Sequence, residues 1–122
     1  MSSDTPRGRL APHVVDMTTR NGEYLEILSG APHSAGMRAG LVTLPPGAAV
    51  GQHTTGAREE IILVLEGEGR VCLPDRQPLA LRAPMAAYMP PHQEHDVVNS
   101  GTARLRYIYV VAPVHAAQSG TT

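Results

Sequence analysis

LPPGAAVGQHTTGAREEIILVLEGEG, from Leu44 to Gly69, is the stretch whose reading decides the fold. It opens on the turn Leu44-Pro45-Pro46-Gly47, because proline lacks the ladder donor and two in succession cannot continue a central strand. It closes on Glu66-Gly67-Glu68-Gly69, which reads as a tight hairpin. Between them Glu60–Glu66 is an apolar, branched run that reads as a strand. His53 and Thr55 stand on the approach to it, two residues apart. In extended chain they share one face.

The same grammar extends outward in both directions. Eleven Pro and twelve Gly punctuate the chain, at the spacing of about eight to twelve residues that marks an all-β sandwich or barrel. The spacing predicts strands over Tyr24–Leu28, Met37–Leu44, Glu60–Glu66, Arg70–Leu73, Pro78–Leu81, Ala86–Met89, Asp96–Asn99 and Arg104–Val111. Met89-Pro90-Pro91 repeats the earlier proline turn, and His95 follows it as His53 follows the first. Two such units imply a duplicated β-structure that closes on itself, a jelly roll enclosing a small cavity. The expected division is an N-terminal extension over 1–20, a barrel over 21–115 and a tail over 116–122. The polar ends Met1–Leu10 and Gln118–Thr122 are expected to fray.

Composition removes several classes of function. At 122 residues there is room for one domain. The formal charge is −1 and the pI about 6.6, and no run of Arg forms the basic stripe that nucleic acid requires. No apolar stretch approaches the roughly 20 residues that span a bilayer, so no membrane partner and a cytoplasmic location are expected. Cys72 stands alone, which excludes an intramolecular disulfide and a zinc site built from several thiolates. It reads as a small buried hydrophobe.

The chemistry rests on His53, Glu60 and His95, two imidazoles and a carboxylate on strand-like segments able to converge on one metal ion. His95 is expected to reach His53 from a facing sheet. Such a set suits Fe, Mn, Ni, Cu or Zn as one divalent transition metal, and three protein ligands leave positions open for water, dioxygen or substrate. Glu59, next to Glu60, points to the opposite face and reads as a solvent-facing charge. Tyr107 and Tyr109 share one face of the last strand, inward, with Arg104 and Arg106 reaching solvent on the other. The tyrosines are candidates to line the pocket and supply a phenolic proton, against a simple core role. Arg38, within an apolar strand, is a candidate for a substrate carboxylate or for a subunit rim. Asn99 and Gly101 read as turn chemistry, and His13, His33 and His115 as surface residues.

Gly47, His53, Glu60 and Gly67 match the pattern G(x)5HxH(x)3–4E(x)6G, with Thr55 where the second His is expected. Pro90, His95 and Asn99 match G(x)5PxG(x)2H(x)3N, with Pro84 and His92 at the two Gly positions. On these residues the chain resembles a small single-domain cupin. The resemblance implies a double-stranded β-helix, a pocket, and a metal held by His53, Glu60 and His95, with His92 a possible further ligand and Thr55 facing substrate beside Arg38 and Tyr109. It implies a homodimer, with Tyr24–Leu28 and Val110–Val114 as candidate interface. The family hosts many activities, so fold alone does not choose among them. The expected function is a small metal-dependent enzyme, foremost a dioxygenase-type oxidoreductase acting on a small, mostly apolar or aromatic molecule. The alternatives are a non-redox isomerase, cyclase or dehydratase, with metal-free acid–base catalysis among them, and a noncatalytic small-molecule-binding module.

Overall fold

The structure is a computed structural model that describes residues 10–114. The expected fraying of residues 1–9 and 118–122, and the surface reading of His115, lie outside the described residues. Eight strands follow in order: β1 Leu25–Ser29, β2 Arg38–Leu44, β3 Arg58–Glu66, β4 Glu68–Leu73, β5 Arg76–Arg82, β6 Ala86–Met89, β7 Asp96–Val98 and β8 Leu105–Pro113. All pair antiparallel, as five strands ordered β1-β2-β8-β3-β6 and three ordered β5-β4-β7. This is the all-β architecture that the turn spacing implies and the double-stranded β-helix that the family resemblance implies. The described residues contain no helix, hence none long and apolar enough to cross a membrane.

Alternation along β3 shows how the sequence builds the two layers. Ile62 and Val64 are buried, while Ile61, Leu63 and Leu65 are exposed on the outer face. The inner residues join Leu44, Val71, Leu81, Met89, Val97, Leu105 and Tyr107 in one core between the sheets. At roughly 2 kcal/mol for each large apolar side chain removed from water, this core is the main stabilising term. Pro78 falls in β5, an edge strand, where its missing N–H costs no interior ladder bond.

Two local expectations change. Glu66-Gly67-Glu68-Gly69 is not a hairpin, because β3 and β4 belong to different sheets and the chain turns a corner at Gly67. There φ is +88°, and a side chain would run into the Arg104 backbone. Arg106 does not simply reach solvent: it is half-buried, and its Nε and the hydroxyl of Thr43, its register partner on β2, are buried without a partner among the described residues. Arg104 is exposed and pairs with Glu66 at 3.1 Å. Cys72 is half-buried, and His13 and His33 are exposed. Asn99 is buried, donating to the carbonyls of Leu44 at 2.8 Å and Ala103 at 2.9 Å while its Oδ1 accepts from the Gly101 N–H. It ties the end of β2 to the turn between β7 and β8.

Candidate metal centre

His53 and His95 do not face each other from separate sheets. They form an isolated antiparallel bridge, each backbone N–H donating to the other's carbonyl at 2.9 Å. A second bridge, Ala49 to Val98, makes residues 49–53 an irregular fourth member beside β7. In this kind of pair the side chains stand on the same face, and the two ring centroids are 4.5 Å apart. The carboxylate comes from the other sheet: Glu60 of β3 is buried, and its Oε1 lies 2.9 Å from His95 Nε2. One candidate ligand atom from each of His53, Glu60 and His95 lies within 4.8 Å of the others.

The ring nitrogens decide whether the set fits a metal. His53 Nδ1 lies 2.8 Å from the Gly51 carbonyl, and His95 Nδ1 lies 2.8 Å from the Gln93 carbonyl. A carbonyl only accepts, so each Nδ1 carries the proton and donates. Each Nε2 is thereby left to face the cluster, the arrangement in which a metal-binding imidazole donates its other N–H to backbone. Two imidazoles oriented by backbone carbonyls and one buried carboxylate fit a divalent transition ion. Burial pushes His95 down, but the hydrogen bond its imidazolium donates to Glu60, the Gln93 carbonyl and the charges of Glu60 and Asp96 outweigh it and hold His95 above its ordinary value.

A cavity of about 450 Å³ opens over this cluster, walled by His53, Thr54 and Thr55 from the irregular segment, Arg58 and Glu60 of β3, Arg38 and Val42 of β2, Val97 of β7, and Tyr107, Tyr109 and Val111 of β8, with Tyr24 and Val50 at its edge. His95 has 0% exposure and completes the cluster from beneath. The register places Arg38, Val111 and Glu60 in one row across β2, β8 and β3. Arg38 and Glu60 are therefore two strand spacings apart, about 10 Å.

The remaining candidates separate cleanly. Thr55 lines the cavity, but its hydroxyl donates to the Arg58 carbonyl at 2.9 Å within the turn that starts β3. His92 is not brought to the cluster. It is exposed, with φ at +64°, and its N–H donates to the Gly56 carbonyl at 2.7 Å, so it occupies a left-handed turn position suited to glycine. Glu59 is half-buried on the outer face and accepts a hydrogen bond from Tyr88 at 2.7 Å. Burial, then the charge of Glu60, pushes the Tyr107 phenol far above its usual range. Burial, then the hydrogen bond with Tyr24, does the same for Tyr109. Both stay protonated near neutral pH and serve as neutral donors. Tyr24, at the start of the Tyr24–Leu28 segment expected at a subunit interface, has its hydroxyl 2.5 Å from that of Tyr109 on the cavity wall.

Fold and cluster together define a small jelly roll whose His53, Glu60 and His95 are compatible with a metal ion. Residues 40–111 match the model of the cupin domain, well over half the chain, and the chain belongs to that family. A cupin protein from Bacteroides fragilis is 18% identical, with a TM-score of 0.68 and coverage of 91% of this chain and 93% of the other. An uncharacterized conserved protein with a double-stranded β-helix domain from Klebsiella pneumoniae is 22% identical, with a TM-score of 0.66 and coverage of 88% and 95%. A predicted oxalate decarboxylase from Thermotoga maritima is 19% identical, with a TM-score of 0.59 and coverage of 80% and 100%. At these identities the likeness is one of fold. No curated protein matches the sequence.

Proposed function

We propose that the chain is a small metal-dependent enzyme, of the dioxygenase-type oxidoreductase class, acting on a small and mostly apolar or aromatic organic molecule. The observation that carries this reading is the convergence of His53, Glu60 and His95, with both imidazoles oriented through Nδ1, at the wall of an open cavity. Two histidines and one carboxylate with open positions are the donor set of non-haem Fe(II) oxygenases. Bound there, the metal supplies Lewis acidity or dioxygen activation. The chain's own part is to position the substrate. Val42, Val97 and Val111 give the substrate an apolar bed, and Tyr107 offers a neutral hydrogen-bond donor next to it.

The same donor set supports a non-redox isomerase, cyclase or dehydratase if the resident metal is Zn. The test is metal analysis of untagged protein by inductively coupled plasma mass spectrometry, beside His53→Ala and His95→Ala. Near-stoichiometric Fe lost in both variants, with dioxygen uptake on aromatic or enolic compounds, supports the oxygenase. Zn with no oxygen uptake moves the assignment to Lewis-acid chemistry. A chain that cannot be loaded with metal overturns both and leaves metal-independent catalysis or simple ligand binding. As to partners, the exposed outer stripe of Ile61, Leu63 and Leu65 supports a homodimer that covers it, to be checked by light scattering of the eluting protein.

A further inference from the structure

The cavity has a second polar end that the metal reading does not use. Tyr24 immediately precedes β1, and Tyr109 lies on β8, with β2 between the two strands. Their hydroxyls nevertheless meet at 2.5 Å. The rings can close over β2 because the residue beneath is Gly40, where a Cβ would come within 2.7 Å of Tyr109 Cε2 and 2.8 Å of Tyr24 Cε1. In a pair of phenols one hydroxyl donates to the other, and the second proton is left to point elsewhere. Whichever hydroxyl donates to the other, one proton stays free on the cavity wall, and Tyr24 is 53% exposed at its mouth.

Arg38 stands two residues before Gly40 on the same face of β2 and lines the same cavity. Among the described residues no carboxylate lies within ion-pairing distance of it. Its charge also reaches Tyr109, pulling that phenol down against the larger effect of burial. Glu26, the register partner of Gly40, is exposed and does not line the cavity, though its charge also reaches Tyr109 and pushes that phenol up. A guanidinium without a carboxylate partner and a free hydroxyl donor on one cavity wall select a group that only accepts.

We propose that Tyr24, Tyr109 and Arg38 form the recognition site for an oxyanion of the substrate, a carboxylate carried on an apolar or aromatic body whose far end lies at His53 and Glu60. The site deepens the metal-enzyme reading and rests on it for what happens at that far end. The spacing suits the assignment: Arg38 and Glu60 are about 10 Å apart at the backbone, with Val111 between them, and an aromatic acid spans the gap left by the two side chains.

The test is a titration of the ¹⁵N-labelled full chain with benzoate and with its neutral isostere benzamide, in Zn(II)-loaded and in chelator-treated protein. Benzoate is expected to bind at least about tenfold more tightly than benzamide in both states. Tyr24→Phe and Arg38→Gln are each expected to weaken benzoate by about tenfold, the worth of one charge-assisted hydrogen bond. Benzamide binding, metal content and the dispersed amide spectrum are expected to stay as in the parent. Equal affinity for acid and amide, no saturable benzoate binding, or benzoate affinity unchanged in both variants overturns the proposal. Benzoate binding that vanishes on chelation is coordination to the metal and overturns it too. A chain that retains no metal yet still prefers acid over amide refutes the metal-centre reading and leaves the oxyanion site standing.

Discussion

The two polar ends of the cavity are built by different means. At the buried end, His53 and His95 are locked twice, by a backbone bridge and by Nδ1 bonds to the carbonyls of Gly51 and Gln93. At the open end, Tyr24 and Arg38 are exposed, and Tyr24 is held by one side-chain hydrogen bond at the rim of an edge strand. Groups fixed through the main chain keep their geometry whether or not anything is bound, which reactive donors need. Groups fixed through their own tips can yield to what enters, which suits recognition. Damage to the buried end should therefore appear in stability and metal content together, and damage to the open end in binding with metal content unchanged.

The hardest way to break this contrast is His95→Ala, which leaves Glu60 buried without its partner. Metal retention is expected to fall to background, and the chelator-treated protein to lose about 3 kcal/mol, the lower part of the range for a broken buried pair because Glu60 also borders the cavity. Urea unfolding with parallel metal analysis measures both, and a variant as stable as the parent contradicts the picture of a locked end.

Next in size is the dependence on pH. His95 is raised in the folded protein, so without metal its contribution to stability is full below the unfolded imidazole value of about 6.5 and is lost as pH rises through the higher folded value. With metal bound the ligands must be deprotonated, and stability is gained over the same window. Melting temperatures from pH 5.5 to 8.5 are expected to change in opposite senses with and without chelator. Parallel profiles would show that no metal competes with that proton.

Gly40→Ala separates the two ends most sharply. The added methyl pushes into both phenol rings, at a cost of about 1 kcal/mol. Benzoate affinity is expected to fall at least as far as in Tyr24→Phe, with metal content unaltered. Smallest is His92→Gly, which relieves a left-handed histidine and is expected to stabilise by about 0.5–1 kcal/mol without altering metal content. A loss of metal in this variant would return His92 to the site.

The sequence made the buried end legible because its signals are local. Proline turns bound the approach to His53 and His95, and the spacing from Glu60 to Gly67 favoured Glu60 over its neighbour Glu59. The open end was not legible, since Tyr24 and Tyr109 are 85 residues apart and meet only through the order β1-β2-β8. Corners hide for the same reason. Glu66-Gly67 reads alike whether the chain folds back within a sheet or passes to the next, and what distinguishes the two is the distant Arg104 backbone. Thr55 and His92 sit where the motif expects a ligand and a glycine, and only their hydrogen bonds and dihedral angles show what each does.

The tyrosine pair also makes the molecule its own optical probe. With no Trp and no Phe, near-ultraviolet absorption and emission come chiefly from four tyrosines, three of which border the cavity while Tyr88 lies on the outer face. A ligand that takes the free proton of the Tyr24–Tyr109 pair changes the signal of two of the protein's four tyrosines at once. Cavity occupancy is thus readable in unlabelled protein, with Tyr88→Phe to remove the one fluorophore that faces away.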